Sequence, residues 1–178
     1  MTPRELEEYR SLRATILQRG TQRVWLALGG LGTWAALALL VAVSSLPPVS
    51  TLVPLLVLAA TFESVYAVHT AVERVGRYIQ VYYEADGAGW EQVAMAYGRT
   101  FRGGGFDPLF CAYFWSAAIL NLLPMLLAGP VPVEWVVVGL AHLFVIGRVA
   151  SARRAAAGQR ARDLERFTQL RSAGSPPA

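Results

Sequence analysis

Four polar side chains lie inside long apolar stretches of this sequence, where membrane-crossing helices are expected. Glu63 belongs to the apolar run that begins at Leu52, Thr33 lies in an earlier run, and Asn121 and His142 lie in two later ones. An ionisable side chain costs at least about 2.5 kcal/mol at the centre of a bilayer, so an acidic residue there is expected to bind, to transfer a proton or to fix a structure. Glu63 is therefore the first candidate for chemistry in this chain.

Helix geometry predicts similar depths for these four residues. At about 1.5 Å per residue from the outer ends of their helices, Asn121 comes to roughly 12 Å, His142 to roughly 15 Å and Glu63 to roughly 20 Å, with Thr33 at a similar depth. If they face inward together, two interpretations remain open. They form a site for a proton, an ion or a small ligand, or they form a packing cluster in which a neutral Glu63 bonds Asn121, Thr33 or a backbone carbonyl.

The helix that carries Glu63 continues this polar surface beyond the apolar run. Residues at spacings of three and four share one side of the helix, namely Glu63, Tyr66, Thr70, Glu73 and Arg77, and His69 lies on the flank. This stripe either lines a water-filled half-channel that ends at Glu63 or marks the pairing of charged helices. Beyond Val72 we favour pairing, with Glu73 bound to Arg77 and to arginines of neighbouring helices.

A glycine-rich segment provides a second kind of candidate site. Arg99, Arg102, Gly103 and Gly104 lie in the sequence RTFRGGG, where two guanidinium groups and free backbone N–H groups suit the headgroup of an anionic lipid. The segment lacks the GxxxxGK[ST] spacing of a P-loop, and a flexible hinge is the commoner role of such a sequence. A lipid-acting enzyme is therefore kept only as an alternative.

Cofactor and metal chemistry find little support in the sequence. The two histidines, His69 and His142, fall at different depths, whereas a bis-histidine haem needs both at one level. The single cysteine, Cys111, excludes an intrachain disulfide and a CxxC zinc or redox motif. We expect no metal, no cofactor and no catalytic residue, and we favour a function other than catalysis.

The elements that position these residues are the helices of a membrane protein. Of 178 residues 54% are apolar, the net charge is +4, and all 16 basic residues are arginine. The arginines adjoin apolar segments, which favours anionic lipids at the cytoplasmic face over nucleic acid as a partner.

The predicted fold is all-α, an integral membrane four-helix bundle whose first, second and fourth helices extend into the cytoplasm. Residues 1–171 form one domain, and 172–178 form a disordered tail. The spans cover about 24–46, 52–72, 109–128 and 133–149, and the helical extensions cover 3–23, 73–84 and 150–171. Five arginines precede the first span, four lie between the second and third, seven follow Gly147, and the other two connections have none. This asymmetry predicts cytoplasmic termini in a bacterial plasma membrane.

Several local signals refine this outline. Thr2 and Glu5 are placed to form a capping box at the start of the first helix. Small residues give the first span a close-packing face: Gly29, Gly30, Gly32 and Ala36. The segment from Trp90 to Tyr97 is expected to form a short interfacial helix, and Pro124 is expected to kink the third span.

These observations predict a small polytopic membrane protein that moves protons, ions or a small solute through a site at Glu63. Because four helices leave little room for an internal pathway, we expect a homo-oligomer or a partner membrane subunit. The first alternative is a structural or accessory subunit whose cytoplasmic helices bind a partner or each other. The second is the lipid-acting membrane enzyme. A Glu63 that faces lipid or a neighbouring chain would make oligomerisation the primary interpretation.

Overall fold

A computed structural model of the chain describes residues 1–44, 46–85, 87, 89–101 and 109–174. Within these ranges there is no strand, and the predicted all-helical class is confirmed. The elements are α1 (Pro3–Val43), a 3₁₀ helix (Pro48–Thr51), α2 (Leu52–Tyr82), α3 (Trp90–Thr100), α4 (Cys111–Leu120), α5 (Leu123–Leu127) and α6 (Pro132–Ser172). The last four residues, which belong to the predicted tail, lie outside the described ranges, and Ser172 ends α6.

In the described part of the chain, three helical stretches are long and apolar enough to cross a membrane, which indicates a membrane protein. They are Pro3–Val43, Pro48–Tyr82 and Pro132–Ser172. Each of α1, α2 and α6 continues without a break from an apolar part into a charged part. At the start of α1 the predicted capping box is confirmed, because the Thr2 N–H donates to Glu5 Oε2 at 2.6 Å and the Glu5 N–H donates to Thr2 Oγ1 at 3.3 Å.

The third apolar stretch is shorter and broken. The predicted span begins at Leu109, whereas α4 begins at Cys111, because Phe110 adopts the left-handed conformation (φ 54°, ψ 31°). Asp107 and Pro108 form a pair typical of an N-cap and a first helical position, and this predicted helix start lies outside the described ranges. In a continuous helix the ring of Pro124 would clash with the carbonyl of Leu120, so α4 ends at Leu120 and α5 begins at Leu123. The expected kink is thus a break in the helix.

The chain divides into two compact units. The apolar unit comprises Arg23–Ala67 and Asp107–Arg154, and the polar unit comprises Met1–Gln22, Val68–Phe106 and Ala155–Ala178. In the apolar unit the core joins α2, α4 and α6, with Leu58, Phe62, Phe114 and Val149 all almost fully buried. The rings of Phe62 and Phe114 meet edge to face with centroids 5.1 Å apart.

Within the apolar unit α1 approaches α2 at one glycine. A Cβ atom at Gly30 would overlap the side chain of Thr61, whereas a Cβ at Gly29 or Gly32 would meet no described atom within 4 Å. Of the predicted close-packing face, only Gly30 therefore packs against α2. Gly29, Gly32 and Ala36 are exposed.

The polar unit is held together by aromatic rings and charges. The ring of Tyr78 packs against Phe167 of α6 at 5.6 Å and against Tyr83 at 6.0 Å, and Tyr83 packs against Tyr9 of α1 at 5.7 Å. The hydroxyl of Tyr78 donates to Glu8 Oε1 at 3.0 Å. These contacts join the charged parts of α1, α2 and α6 within this unit.

Candidate functional site

Glu63 pairs with an arginine of α6. Arg148 Nε lies 2.8 Å from Glu63 Oε1, and Arg148 Nη2 donates to Glu63 Oε2 at 2.9 Å. This is the two-point arrangement in which a guanidinium binds a carboxylate most strongly. The same guanidinium lies over the ring of Tyr66, 4.7 Å from its centroid, and 5.9 Å from that of Phe62. Two aromatic faces thus add cation–π attraction to the ion pair.

This ion pair lies on the surface of the apolar unit. The side chain of Glu63 is 48% exposed and that of Arg148 is 30% exposed. Small exposed residues surround the pair on both helices. We call this surface the Glu63 face, and it consists of Ala60, Glu63, Ser64 and Ala67 of α2 with Gly147, Arg148 and Ser151 of α6. Glu63 therefore faces outward from the chain.

A different set of polar side chains is buried inside the apolar unit, centred on Asn121. The Trp34 Nε1–H donates to Asn121 Oδ1 at 3.1 Å, and Asn121 Nδ2 donates to the carbonyl of Thr51 at 2.9 Å. The second Nδ2 hydrogen points to His142 Nε2 at 3.1 Å. Because His142 Nδ1 lies 2.8 Å from the Val138 carbonyl, which can only accept, the proton of the imidazole is on Nδ1 and Nε2 accepts from Asn121.

The amide of Asn121 is therefore satisfied at both of its atoms. Both N–H hydrogens and the oxygen have partners, and Asn121 and His142 are almost fully buried. A closed set of hydrogen bonds of this kind fixes how helices pack and leaves no free group to bind a ligand. Within the apolar unit this cluster has the character of a packing element.

The structure does not bring Glu63, Asn121, His142 and Thr33 to one place, so the condition that all four face inward together is not met. It brings only Asn121 and His142 together. Asn121 lies at the level of Thr51, which precedes Glu63 by twelve residues, or about 18 Å along a helix. Thr33 is exposed, and its hydroxyl donates to the Gly29 carbonyl of its own helix at 2.9 Å. Glu63 bonds Arg148 in place of Asn121 or Thr33.

The remainder of the predicted stripe on α2 leads into the polar unit. His69 is buried and Thr70 is half-buried. Beyond Val72 the predicted salt-bridge pairing is confirmed. Glu73 Oε2 lies 2.6 Å from Arg160 Nε of α6 and 3.8 Å from Arg77 Nη2.

These charges form a larger network across the polar unit. Arg77 Nη2 lies 3.7 Å from Glu91 Oε2 of α3, and Arg13 Nη1 of α1 donates to Glu91 Oε1 at 2.7 Å. The network borders a cavity of about 810 Å³ whose other walls are largely apolar, with Met95 of α3 and Leu164 of α6 among them. The carboxylates and guanidinium groups of the network neutralise one another. The network thereby joins α1, α2, α3 and α6 through salt bridges.

Tyrosine hydroxyls in the polar unit are kept protonated by the same packing. Burial, reinforced by the hydrogen bond to Glu8, raises the pKa of Tyr78 well above its usual value. Burial, with the Glu8 carboxylate nearby, raises the pKa of Tyr83 to about 12. Burial also raises the pKa of Tyr9, whose hydroxyl donates to Glu84 Oε1 at 3.3 Å. The hydroxyls of Tyr9 and Tyr78 act as hydrogen-bond donors to glutamates.

The predicted headgroup site is outside the described part of the chain. Arg102, Gly103 and Gly104 lie in the range 102–108, and the side chain of Arg99 is likewise not described, although its backbone belongs to α3. The lipid-acting enzyme therefore stays a prediction. Among the residues that the structure does describe, no group of three or more His, Cys, Asp or Glu side chains comes together to hold a metal ion.

Sequence reasoning missed three partners in these sites. Arg148 was counted with the cytoplasmic arginines although it binds Glu63, and Trp34 and Thr51 were not recognised as partners of Asn121. For Arg148 a signal existed, because a buried or lipid-facing carboxylate is usually paired with a cation.

Comparison of the chain with protein-family models, with characterised proteins and with solved structures finds no match.

Proposed function

We propose that the chain is a small polytopic membrane protein that works as a homo-oligomer, in which the Glu63 face of each copy is covered by another copy. The observation that carries this proposal is the outward-facing ion pair between Glu63 and Arg148 on a unit whose core is apolar. On insertion scales a charged side chain costs about 2.5–3.5 kcal/mol at the bilayer centre, so such groups face protein or water instead of lipid. A neighbouring helix would remove that cost.

The composition of the Glu63 face supports a helical neighbour. Ala60, Ser64, Gly147 and Ser151 leave the two backbones open to close approach by another helix. The hydroxyl of Ser64 already bonds the Ala60 carbonyl at 2.9 Å, so it can be buried without an unsatisfied donor. Two copies that bury the same face would form a closed, symmetric contact.

The proposed topology has four crossings, with both termini and the α3 region in the cytoplasm. The arginine distribution supports it through the positive-inside rule. The third crossing consists of α4 and α5 together, Cys111–Leu127, which reach about 25 Å at 1.5 Å per residue. The charged ends of α1, α2 and α6, and the polar unit that they form, then lie in the cytoplasm of a bacterial cell.

Subunit counting on fluorescently labelled protein in lipid vesicles tests the oligomer. Ala60→Leu adds bulk to the Glu63 face without touching the ion pair, and it should shift the protein toward monomers. Ala36→Leu, on the exposed side of α1, is the matched control and should leave the assembly intact. A monomeric wild-type protein would refute the proposal. Loss of assembly in Ala36→Leu alone would assign the contact to α1 instead.

Movement of protons, ions or a small solute is the second candidate function. It is favoured by the partial exposure of Glu63, which remains reachable from outside its own chain. In an oligomer this carboxylate would line the contact between copies, where room for a pathway exists that four helices do not provide. Flux into reconstituted vesicles that is lost in Glu63→Gln, with assembly retained, would support transport. No flux in wild-type protein leaves the structural oligomer.

A further inference from the structure

Helix α3 carries an apolar face that its own chain leaves exposed. Four side chains recur along it at spacings of three, four and four residues, and each is more than half exposed: Trp90, Val93, Tyr97 and Phe101. We call them the α3 stripe. The rings of Tyr97 and Phe101 pack against each other at a tilt of 39° with centroids 4.8 Å apart, so the end of the stripe presents an aromatic surface.

The opposite side of α3 is bound to the polar unit through hydrogen bonds and charges. The carboxylate of Glu91 pairs with Arg13 and Arg77. Gln92 Nε2 donates to the backbone carbonyls of Gln80 at 3.3 Å and Glu84 at 3.2 Å. In return, Gln80 Nε2 donates to Gln92 Oε1 at 2.9 Å. The polar face of this helix therefore points into the unit.

The start of α3 is fixed in the same way. Gly89, its N-cap, has no side chain to cap the helix, and a Cβ there would overlap the carboxylate of Glu84. That carboxylate accepts the backbone N–H of Glu91 at 2.7 Å and so takes the place of the missing cap. Gly76 lets Glu91 approach α2, since a Cβ there would lie 2.9 Å from Glu91 Oε2. The direction of the stripe is thus set by bonds on the other face.

From this arrangement we infer that the α3 stripe is a membrane-surface anchor that inserts into the headgroup and upper acyl region of an anionic bilayer. In a soluble helix the apolar face packs inward and the polar face meets water, and α3 has the opposite orientation. Trp and Tyr are the residues that prefer the boundary between lipid and water. A helix with one apolar face lies in that boundary with its axis along the surface.

The residues at the end of α3 and beyond it favour a bilayer as the occupant of the α3 stripe. Phe101 is ten residues from Cys111, the start of an apolar helix, so at most about 36 Å of chain separates them. Arg99 and Arg102 adjoin the end of the stripe in the sequence and bring positive charge to it. That charge complements an anionic lipid surface. A second copy would present the same positive charge, which repels.

Spin labels can measure this directly, because the chain has one native cysteine, Cys111, which is buried. In a Cys111→Ala background a label at Val93→Cys probes the stripe. Leu28→Cys, exposed on the apolar part of α1, gives the lipid reference. Arg166→Cys, exposed seventeen residues beyond Val149 in α6, gives the water reference. Collision rates with oxygen and with a water-soluble nickel chelate are then compared in phosphatidylcholine vesicles with and without phosphatidylglycerol.

Lipid insertion makes oxygen collisions exceed nickel collisions at Val93, as at Leu28, with the reverse at Arg166. Phosphatidylglycerol should move the Val93 label deeper into the bilayer. The double substitution Arg99→Gln with Arg102→Gln should abolish that increase in depth. A Val93 label that behaves like Arg166 in both lipids would overturn the inference. So would spin–spin broadening at Val93 that persists as protein is diluted in lipid, since it means that a second copy covers the stripe. Circular dichroism of each variant checks that the helices are formed, and a Tyr97→Cys label repeats the measurement if Val93→Cys fails to fold.

Discussion

The approach of α1 to α2 gives the sharpest test of the fold, because two adjacent glycines differ only in what they face. A Cβ at Gly30 would overlap Thr61, and a Cβ at Gly29 would meet no described atom within 4 Å. Both positions lie in the interior of α1, so Gly→Ala at either should gain about 0.5–1 kcal/mol of helix stability. Only Gly30→Ala also introduces an overlap.

The size of the expected destabilisation follows from the properties of Thr61, the residue that a Cβ at Gly30 would overlap. Thr61 is β-branched, so its χ1 angle is stiff, and its hydroxyl is held by a 2.7 Å bond to the Val57 carbonyl. It cannot swing aside without losing that bond. Overpacking of a closely packed site costs about 1–3 kcal/mol, and this cost is the expected difference between the two variants. Gly29→Ala should keep the full helix gain and stabilise the protein by about 0.5–1 kcal/mol.

Unfolding in mixed micelles with increasing dodecyl sulfate, followed by circular dichroism, measures both variants under one condition. Thr61→Gly in the Gly30→Ala background removes the side-chain atoms that the new Cβ would overlap. The two substitutions should therefore be strongly non-additive, with a coupling energy of about 1–3 kcal/mol. If Gly30→Ala unfolds at the same midpoint as Gly29→Ala, the close approach of α1 to α2 is refuted. Weaker association in Gly29→Ala would mean that the exposed side of α1 packs between copies.

Three further predictions concern the buried cluster and the polar unit. Asn121→Leu should lower the free energy of unfolding by about 2 kcal/mol, because it removes three hydrogen bonds that contribute about 0.6 kcal/mol each in membrane proteins. Trp34→Phe removes one and should cost less, and equal losses in the same unfolding assay would contradict the network. Tyr83 ionises near pH 12 when folded, but near pH 10 when unfolded, so the polar unit should lose stability as the pH rises above about 10. Tyrosinate absorbance should show this late ionisation, and Tyr83→Phe should remove one tyrosine's share of it, because Tyr78 and Tyr9 also ionise late; an unchanged curve would refute the assignment. Glu84→Ala removes a cap of about 1 kcal/mol, so amide exchange at Glu91 should accelerate, and unchanged exchange would show that Glu84 is not the cap.

The helices themselves could be predicted from the sequence because their signals are local. Thr2 and Glu5 form the expected capping box, and Pro124 interrupts the third apolar stretch as a missing N–H requires. The start at Cys111 could not be predicted, because it depends on the left-handed conformation of Phe110. Bulky residues rarely adopt that conformation, and no local pattern signals it.

The side of α1 that packs inward could not be predicted, because two candidate faces lie side by side on this helix. Gly30 and Trp34 are four residues apart and both point inward, toward Thr61 and Asn121. Gly29 and Thr33 are also four residues apart and are exposed. The two pairs are offset by one residue, or about 100° around the helix. Only the fit against α2 chooses between them.

The predicted common level of Asn121 and Glu63 was wrong for a related reason. The depths were counted from the outer ends of the helices at about 1.5 Å per residue, with the third span taken as one straight helix. That span is broken before Leu123, and Asn121 lies at the level of Thr51. Arg148 was counted with the cytoplasmic arginines, yet it binds Glu63. Depth therefore has to be read from partners across helices, which a sequence alone does not provide.

Helix α2 carries two glutamate–arginine pairs whose surroundings differ, and this difference separates their roles. The pair of Glu73 with Arg160 belongs to a network that includes Arg77 and, through Arg77, Glu91 of α3, so its charges are offset within one chain. The salt bridge of Glu63 involves Arg148 alone among the described side chains.

In water a half-exposed pair such as Glu63 and Arg148 contributes about 0–1 kcal/mol, and nothing further is needed to accommodate it. At lipid-facing depth in a membrane protein, the same exposure would leave charged atoms without protein or water around them. The Glu73 network finds its partners within a single copy, whereas the proposed neighbouring helix would complete the surroundings of the Glu63 pair. For this reason we propose that the contact between copies lies at Glu63, and we assign the charges of the polar unit to the internal packing of its helices.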